Sequence, residues 1–198
     1  MEYLDIVDEK GEPVGEVISR EEAHRLGVRH RTSHVWILRD RGEGTEVLLQ
    51  LRTLNKDSFP GCFDISSAGH IPAGMDFVDS ALRELKEELG LTAAPEELIC
   101  CGDLSISNET VFHGKPFRDN QVSRVFYLIR DVDPGQLVLQ AEEVAGVRWL
   151  LLEKCIAYTE ASFLQIPFEE DAYQWSCILP EELKMLPKEL NGGMNVGR

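Results

Sequence analysis

The sequence predicts one mixed-sheet α/β domain. Three observations carry that expectation. The chain has 198 residues, comfortable for one core and tight for two. Strand-like apolar runs and helical patterns follow each other at irregular spacing, unlike the regular alternation of a doubly wound parallel sheet. Hydrophobic residues make up 43% and charged residues 28%, the composition of a folded globular chain and not of a disordered one.

Residues 4–7 and 14–18 read as short strands around the turn Lys10-Gly11-Glu12-Pro13. Residues 20–26 form a short helix stopped by Gly27. Residues 35–38 and 47–49 are apolar runs flanking a polar loop with Gly42 and Gly44, which predicts a buried hairpin. Residues 59–74 are rich in Gly, Pro and Ser and read as mostly loop. Residues 76–89 carry the strongest helical pattern, with Asp76 as N-cap and Gly90 as stop. Further strands are expected at 98–106, 124–129 and 147–150, and helices at 151–158 and 181–190. Trp36, Trp149 and Trp175 read as core residues. Residues 1–190 form the domain, and residues 191–198 a frayed tail.

The net charge is −15, from 35 acidic and 20 basic residues. That field opposes a nucleic-acid polymer, which needs a basic surface. It admits a small phosphorylated substrate, because bound divalent cations reverse the local sign. No stretch of about 18 apolar residues predicts a membrane span, and no basic amphipathic helix a membrane surface role. The acidic start Met1-Glu2-Tyr3-Leu4-Asp5 does not read as a secretory signal. Five scattered cysteines without a CxxC pair read as reduced thiols, so the expectation is a cytoplasmic protein. A homodimer is the default among soluble oligomers.

The helix at 76–89 concentrates the chemistry. With Arg83 at zero and 100° per residue, Val78, Ala81, Leu82, Leu85 and Leu89 fall within roughly 160–260°. Glu87, Glu84 and Glu88 fall at roughly 40°, 100° and 140°. Three carboxylates thus share one side, with Arg83 at their edge. Taken alone, such a face is a solvated surface. Like charges one turn apart repel, however, and a cation removes that repulsion. The loop Ser66-Ser67-Ala68-Gly69-His70-Ile71-Pro72-Ala73-Gly74 leads into the helix and can bring backbone groups close to a ligand.

Gly69 followed by Arg83-Glu84-Leu85-Lys86-Glu87-Glu88-Leu89-Gly90-Leu91 resembles the Nudix box. Every defining position matches except one, where Met75 stands for the first Glu with Asp76 beside it. The resemblance implies an α/β/α sandwich with a mixed central sheet, and hydrolysis of a diphosphate linkage by water attack on phosphorus. It implies Mg²⁺ or Mn²⁺ held by Glu84, Glu87, Glu88 and the Ala68 carbonyl, with Arg83 orienting Glu84. The cations would neutralise the diphosphate and lower the pKa of bound water. Met75 puts one metal-bridging role in question, for which Asp76 is the substitute.

The similarity extends over residues 3–155 to isopentenyl-diphosphate isomerase and its hydrolase relatives. It is carried by His30-Arg31, Leu49-Gln50-Leu51-Arg52, Lys56-Asp57-Ser58-Phe59-Pro60-Gly61 and Ser66-Ser67-Ala68-Gly69-His70. In that branch the residues matching Arg52 and Lys56 lie near the diphosphate, with Gly69 and His70 also at the substrate. His24, His30 and His70 resemble a metal-binding set of the isomerases; a structural role for these histidines is the alternative. His34 and His113 have no motif behind them.

An isomerase would use a cysteine and a glutamate where this chain has Ala68 and Gln121. Neither side chain can move a proton. Hydrolase is therefore favoured over isomerase, and over a non-catalytic nucleotide-binding sensor for which only Met75 speaks. Leu139-Gln140-Ala141-Glu142-Glu143-Val144 resembles a segment that supplies a further glutamate, so Glu143, or else Glu142, is the expected base; a solvated acidic turn is the alternative reading. The substrate is a small diphosphate: a nucleoside diphosphate derivative, nucleotide sugar, dinucleotide, coenzyme A or prenyl diphosphate. Specificity is expected in loops at 39–46, 108–120 and 163–173.

Overall fold

The computed structural model describes residues 2–161, 165–169 and 172–190. A hairpin of β1 (Tyr3–Val7) and β2 (Pro13–Ser19) leads into α1 (Arg20–Leu26). Ser19 caps α1 by accepting from Glu22 N, and Gly27 ends it at φ 72°. The central sheet contains β3 (His30–Asp40), β4 (Thr45–Arg52), β5 (Phe63–Asp64), β6 (Ser67–His70), β7 (Ile99–Phe112), β8 (Lys115–Ile129) and β9 (Val144–Leu151). Its path is β5-β4-β3-β8-β7, with β6 also paired to β3 and β9 to β4. Only β3 and β8 run parallel, so the sheet is mixed.

One face is covered by α2 (Phe77–Leu89), the other by α3 (Leu152–Ala161) and the segment containing α4 (Pro180–Leu183). Phe77, Ala81, Leu85 and Leu89 of α2 pack on Val35, Ile37, Leu48 and Phe126. Trp36, Leu38, Val47 and Leu49 pack with Leu152, Cys155, Ile178, Leu183 and Leu186. Alternation along β3 and β4 supplies both layers. Each fully buried leucine contributes about 1.5–3 kcal/mol relative to exposure. A further hairpin joins β10 (Gln165–Glu169) to β11 (Ala172–Trp175). This is the mixed-sheet α/β architecture the sequence predicts, and α2 begins and ends with the expected caps, Asp76 and Gly90.

Four expectations are corrected. Residues 59–74 are not mostly loop: β6 pairs with β3, placing Ala68 opposite His34. Ser67-Ala68-Gly69 is poor strand material and is ordered by its neighbour's ladder, a non-local cause. The expected loop at 108–120 is instead the hairpin formed by β7 and β8, turning at His113-Gly114. Its exposed pairs, such as Glu109 opposite Arg118, leave no apolar signature. The expected helix at 181–190 ends after α4, because Pro187 has no N–H to continue it. Trp175 is 54% exposed, and Trp149 is half-buried under the Arg39 guanidinium; only Trp36 lies fully in the core. The expected loop at 163–173 lies partly outside the described residues and otherwise holds β10 and the start of β11. The expected tail at 191–198 lies outside them entirely. No helix among the described residues is long and apolar enough to cross a membrane.

Candidate active site

A cleft of about 650 Å³ opens along the inner face of the sheet. At one end α2 meets β6. Glu88 is 3% exposed and accepts from Ala68 N at 3.2 Å and Gln50 Nε2 at 3.3 Å. The three carboxylates therefore do not share one solvated face. Glu88 turns toward the sheet because its position on the wheel borders the apolar arc. Glu84 is half-buried against Gly69, where an added Cβ would come within 2.2 Å of Glu84 Cδ. Only a residue without a side chain allows that approach. Glu87 is exposed. Arg83 ties the group together, donating to Glu84 at 2.5 Å, Glu87 at 2.9 Å and the His70 carbonyl at 3.4 Å.

Burial, then the Glu88 charge, pushes the Glu84 carboxyl up to about 8 despite Arg83. Burial, with Glu143 and Asp64 adding to it, pushes Glu88 up to about 7. Met75 packs toward the apolar layer under α2 while its carbonyl accepts from Arg31. Asp76 is occupied as the helix cap, accepting from Asp79 N at 2.8 Å. Neither lines the cleft.

The segment before β9 hooks over the end of α2, with Val138 N bonded to Leu89 O and Gln140 N to Glu88 O. This brings Glu143 to the cleft, while Glu142 stays exposed and away from it. Lys56 pairs with Glu143. Arg52 donates to Asp64 at 2.7 Å and to Ser58 O at 2.9 Å. Arg52, Lys56, Gly69 and His70 all line the cleft.

Beside this group His24, His30 and His70 bring one ring nitrogen each within 4.8 Å of one another. Asp119 Oδ1 lies 3.8 Å from both His24 and His30. His24 Nδ1, His30 Nε2 and Asp119 Oδ1 are buried without hydrogen-bond partners. Burial lowers the three histidines, His24 to about 4, and raises Asp119 to about 6.

On β3, His34 Nδ1 donates to Glu182 at 3.0 Å, and Trp36 Nε1 donates to the same carboxylate at 2.8 Å. Burial disfavours the His34 imidazolium, but the Glu182 charge and hydrogen bond outweigh it and hold its pKa above the usual value. Sequence reasoning missed Asp119 and Glu182. Asp119 sits in a polar stretch that resembled a loop, and Glu182 on an acidic turn far along the chain. One available signal was His34, a polar residue flanked by the apolar run that starts at Val35.

Residues 28–173 match the model of the NUDIX domain family, and the chain belongs to that family. It is 38% identical to an uncharacterized Nudix hydrolase of Clostridium acetobutylicum, over 74% of this chain and 68% of that protein. It is 39% identical to Nudix hydrolase 3 of Arabidopsis thaliana over 77% of this chain, which spans only 20% of that protein. The uncharacterized Nudix hydrolase YfcD of Escherichia coli K12 is 31% identical, over 79% of this chain and 77% of that one. Among solved structures, DR0079 of Deinococcus radiodurans shares the fold at TM-score 0.66 and 19% identity, covering 92% of this chain and 98% of that one. The MutT protein of Methanosarcina mazei Go1 shares it at TM-score 0.56 and 17% identity, covering 79% and 91%. The chain is a Nudix-type hydrolase, a class that cleaves pyrophosphate linkages.

Proposed function

We propose that this chain hydrolyses a small diphosphate in a reaction that depends on Mg²⁺ or Mn²⁺. In this reading it belongs with the hydrolases that resemble isopentenyl-diphosphate isomerase. The observation that carries the reading is the convergence of half-buried Glu84 and buried Glu88 on β6, two like charges with one guanidinium to offset them. A cation relieves that repulsion. The donor set of Glu84, Glu87, Glu88 and the Ala68 carbonyl is all oxygen, which suits hard cations. Bound there, the metal supplies charge neutralisation and a bound water of lowered pKa.

The chain's own residues do the rest. Gly69 leaves the space Glu84 occupies, and Arg83 holds that carboxylate in place. Arg52 and Lys56 bind the diphosphate. Glu143 takes the proton from the attacking water. The His70 carbonyl braces Arg83 while its ring faces His24. Ala68 and Gln121 both line the cleft and neither titrates, which speaks against isomerisation. Isopentenyl diphosphate with Mg²⁺ tests the choice: phosphate release without double-bond migration supports hydrolysis, and isomer formation overturns it.

A second ion site is proposed at His24, His30, His70 and Asp119. Neutral rings and buried orphan atoms support it, and a nitrogen-rich set with one carboxylate suits a transition metal such as Zn²⁺ or Mn²⁺. Metal analysis of the purified protein and of His30→Ala tests it; equal metal content in both contradicts it.

A further inference from the structure

The cleft crosses the sheet, and the strand register sets its length. Thr32 of β3 lies opposite His70 of β6 on one side and Ser123 of β8 on the other, and Ser123 lies opposite Leu104 of β7. His70, Thr32 and Leu104 of this row all line the cleft. From β6 to β7 the row spans three strand spacings, about 14 Å. The α2 carboxylates gather at β6. A diphosphate held there covers about one spacing and leaves roughly 10 Å of floor for the group it carries.

That remaining floor has its own chemistry. Alternation puts Leu104 and Ile106 of β7 on one face with Gln121 of β8, and these side chains line the cleft. Ile106 lies directly opposite Gln121. Leu179 lines the cleft as well, from the segment after β11. Gln121 is 9% exposed, and its amide makes no hydrogen bond among the described residues. Its polar neighbours are engaged elsewhere: Asn120 with Arg29 and the Gly27 carbonyl, Ser123 with Thr32. Buried amides are normally paired, because an unpaired one has lost its water without replacement. A free donor and a free acceptor set among aliphatic side chains suit a flat ligand group with apolar faces and a polar edge.

We propose that Gln121, Leu104 and Ile106 form the subsite for a nucleobase. The Gln121 amide hydrogen-bonds the edge of the base, and the two aliphatic side chains cover its face while the diphosphate sits at β6. This rests on the diphosphate-hydrolase reading of the cleft and selects nucleoside diphosphates and their derivatives among the candidate substrates. A prenyl chain of the same length would pass over Gln121 and leave the amide buried and unpaired, a cost that a base with donors and acceptors does not carry.

Calorimetric titration in Mg²⁺ compares three kinds of ligand. They are methylenediphosphonate, the α,β-methylene diphosphates of adenosine, guanosine, cytidine and uridine, and geranyl methylenediphosphonate. The carbon bridge resists cleavage, so binding is read without turnover. Wild type binds at least one nucleoside mimic about tenfold or more tighter than the bare mimic. Gln121→Leu, close in volume and without the amide, brings that ratio within about threefold, and Leu104→Ala also lowers it. A structural role for Gln121 would instead lower the melting temperature and leave the ratio of the folded protein unchanged, which overturns the proposal.

A wild type that binds the bare and nucleoside mimics alike, or that prefers the geranyl mimic, overturns it too. So does a lower metal content in Gln121→Leu than in wild type, which would assign the amide to an ion at His24, His30 and His70. If Gln121→Leu does not fold, glutamine-labelled NMR of the wild type decides. A Gln121 side-chain amide signal that shifts with the nucleoside mimic and not with the bare one supports the contact, and a stationary signal overturns it. A wild type that binds neither the bare mimic nor any nucleoside mimic is a different failure, that of the hydrolase reading itself.

Discussion

Lys56 Nζ stands 2.5 Å from Glu143 Oε2, tying the loop after β4 to the segment that hooks over α2. The two backbones meet as well, through Thr53 N to Glu143 O at 2.9 Å. The expected phosphate-binding cation and the expected base thus neutralise each other until a diphosphate competes for Lys56. Glu143→Gln lowers kcat by about 10²–10⁴ with a small effect on KM, whereas Glu142→Gln, away from the cleft, behaves as wild type. Steady-state kinetics check both. If Glu143→Gln is also silent, the base lies elsewhere and Glu84 is the next candidate.

Gly69 tests the geometry of the carboxylate group. Its added Cβ would collide with Glu84 Cδ, displacing that carboxylate from Arg83. A displacement near 1 Å can cost about 10² in rate. Gly69→Ala therefore loses about that factor in kcat/KM while circular dichroism shows an intact fold. Full activity in Gly69→Ala would mean that Glu84 does not need its position.

The raised carboxyls make a prediction about pH. Glu84 and Glu88 hold protons in the folded state that the unfolded chain has lost above its ordinary value of 4.5. A raised folded pKa stabilises fully below the unfolded value, and that contribution is lost as pH rises through the folded one. The metal-free protein therefore loses stability between pH 4.5 and about 8 on account of these groups. Mg²⁺ needs the deprotonated form, so its stabilisation grows over the same window. Melting temperatures with and without Mg²⁺ at pH 6 and pH 8 show the larger gain at pH 8, and Glu84→Gln reduces the difference to the part that Glu88 contributes. An equal gain at both pH values contradicts the assignment.

Local chemistry was legible in the sequence where it was periodic or capped. The α2 boundaries followed from the Ala81–Leu85–Leu89 stripe with Asp76 and Gly90, and the α1 stop from Gly27. Glu84, Glu87 and Glu88 were legible as a set because they lie within two turns of one helix. The burial of Glu88 was not, because it depends on Gln50 and on Ala68 in a strand that is ordered only by pairing with β3. Asp119 and Glu182 were invisible for the same reason. Asp119 reaches His24 and His30 across more than 85 residues of chain, and Glu182 reaches His34 across 148. No local pattern encodes such contacts.

The central claim is that the α2 carboxylates hold the metal that drives hydrolysis, and phosphate release by wild type and Glu88→Gln tests it most directly. The panel is nucleoside diphosphates, nucleotide sugars, dinucleotides, coenzyme A and prenyl diphosphates, each with Mg²⁺, with Mn²⁺ and with chelator. Wild type releases phosphate or a phosphomonoester from at least one of them, only with metal. Glu88→Gln, nearly isosteric and one charge fewer, remains folded and loses at least about 10²-fold in rate. A Glu88→Gln protein that keeps more than about half of wild-type turnover, or wild-type turnover undiminished by chelator, contradicts the account.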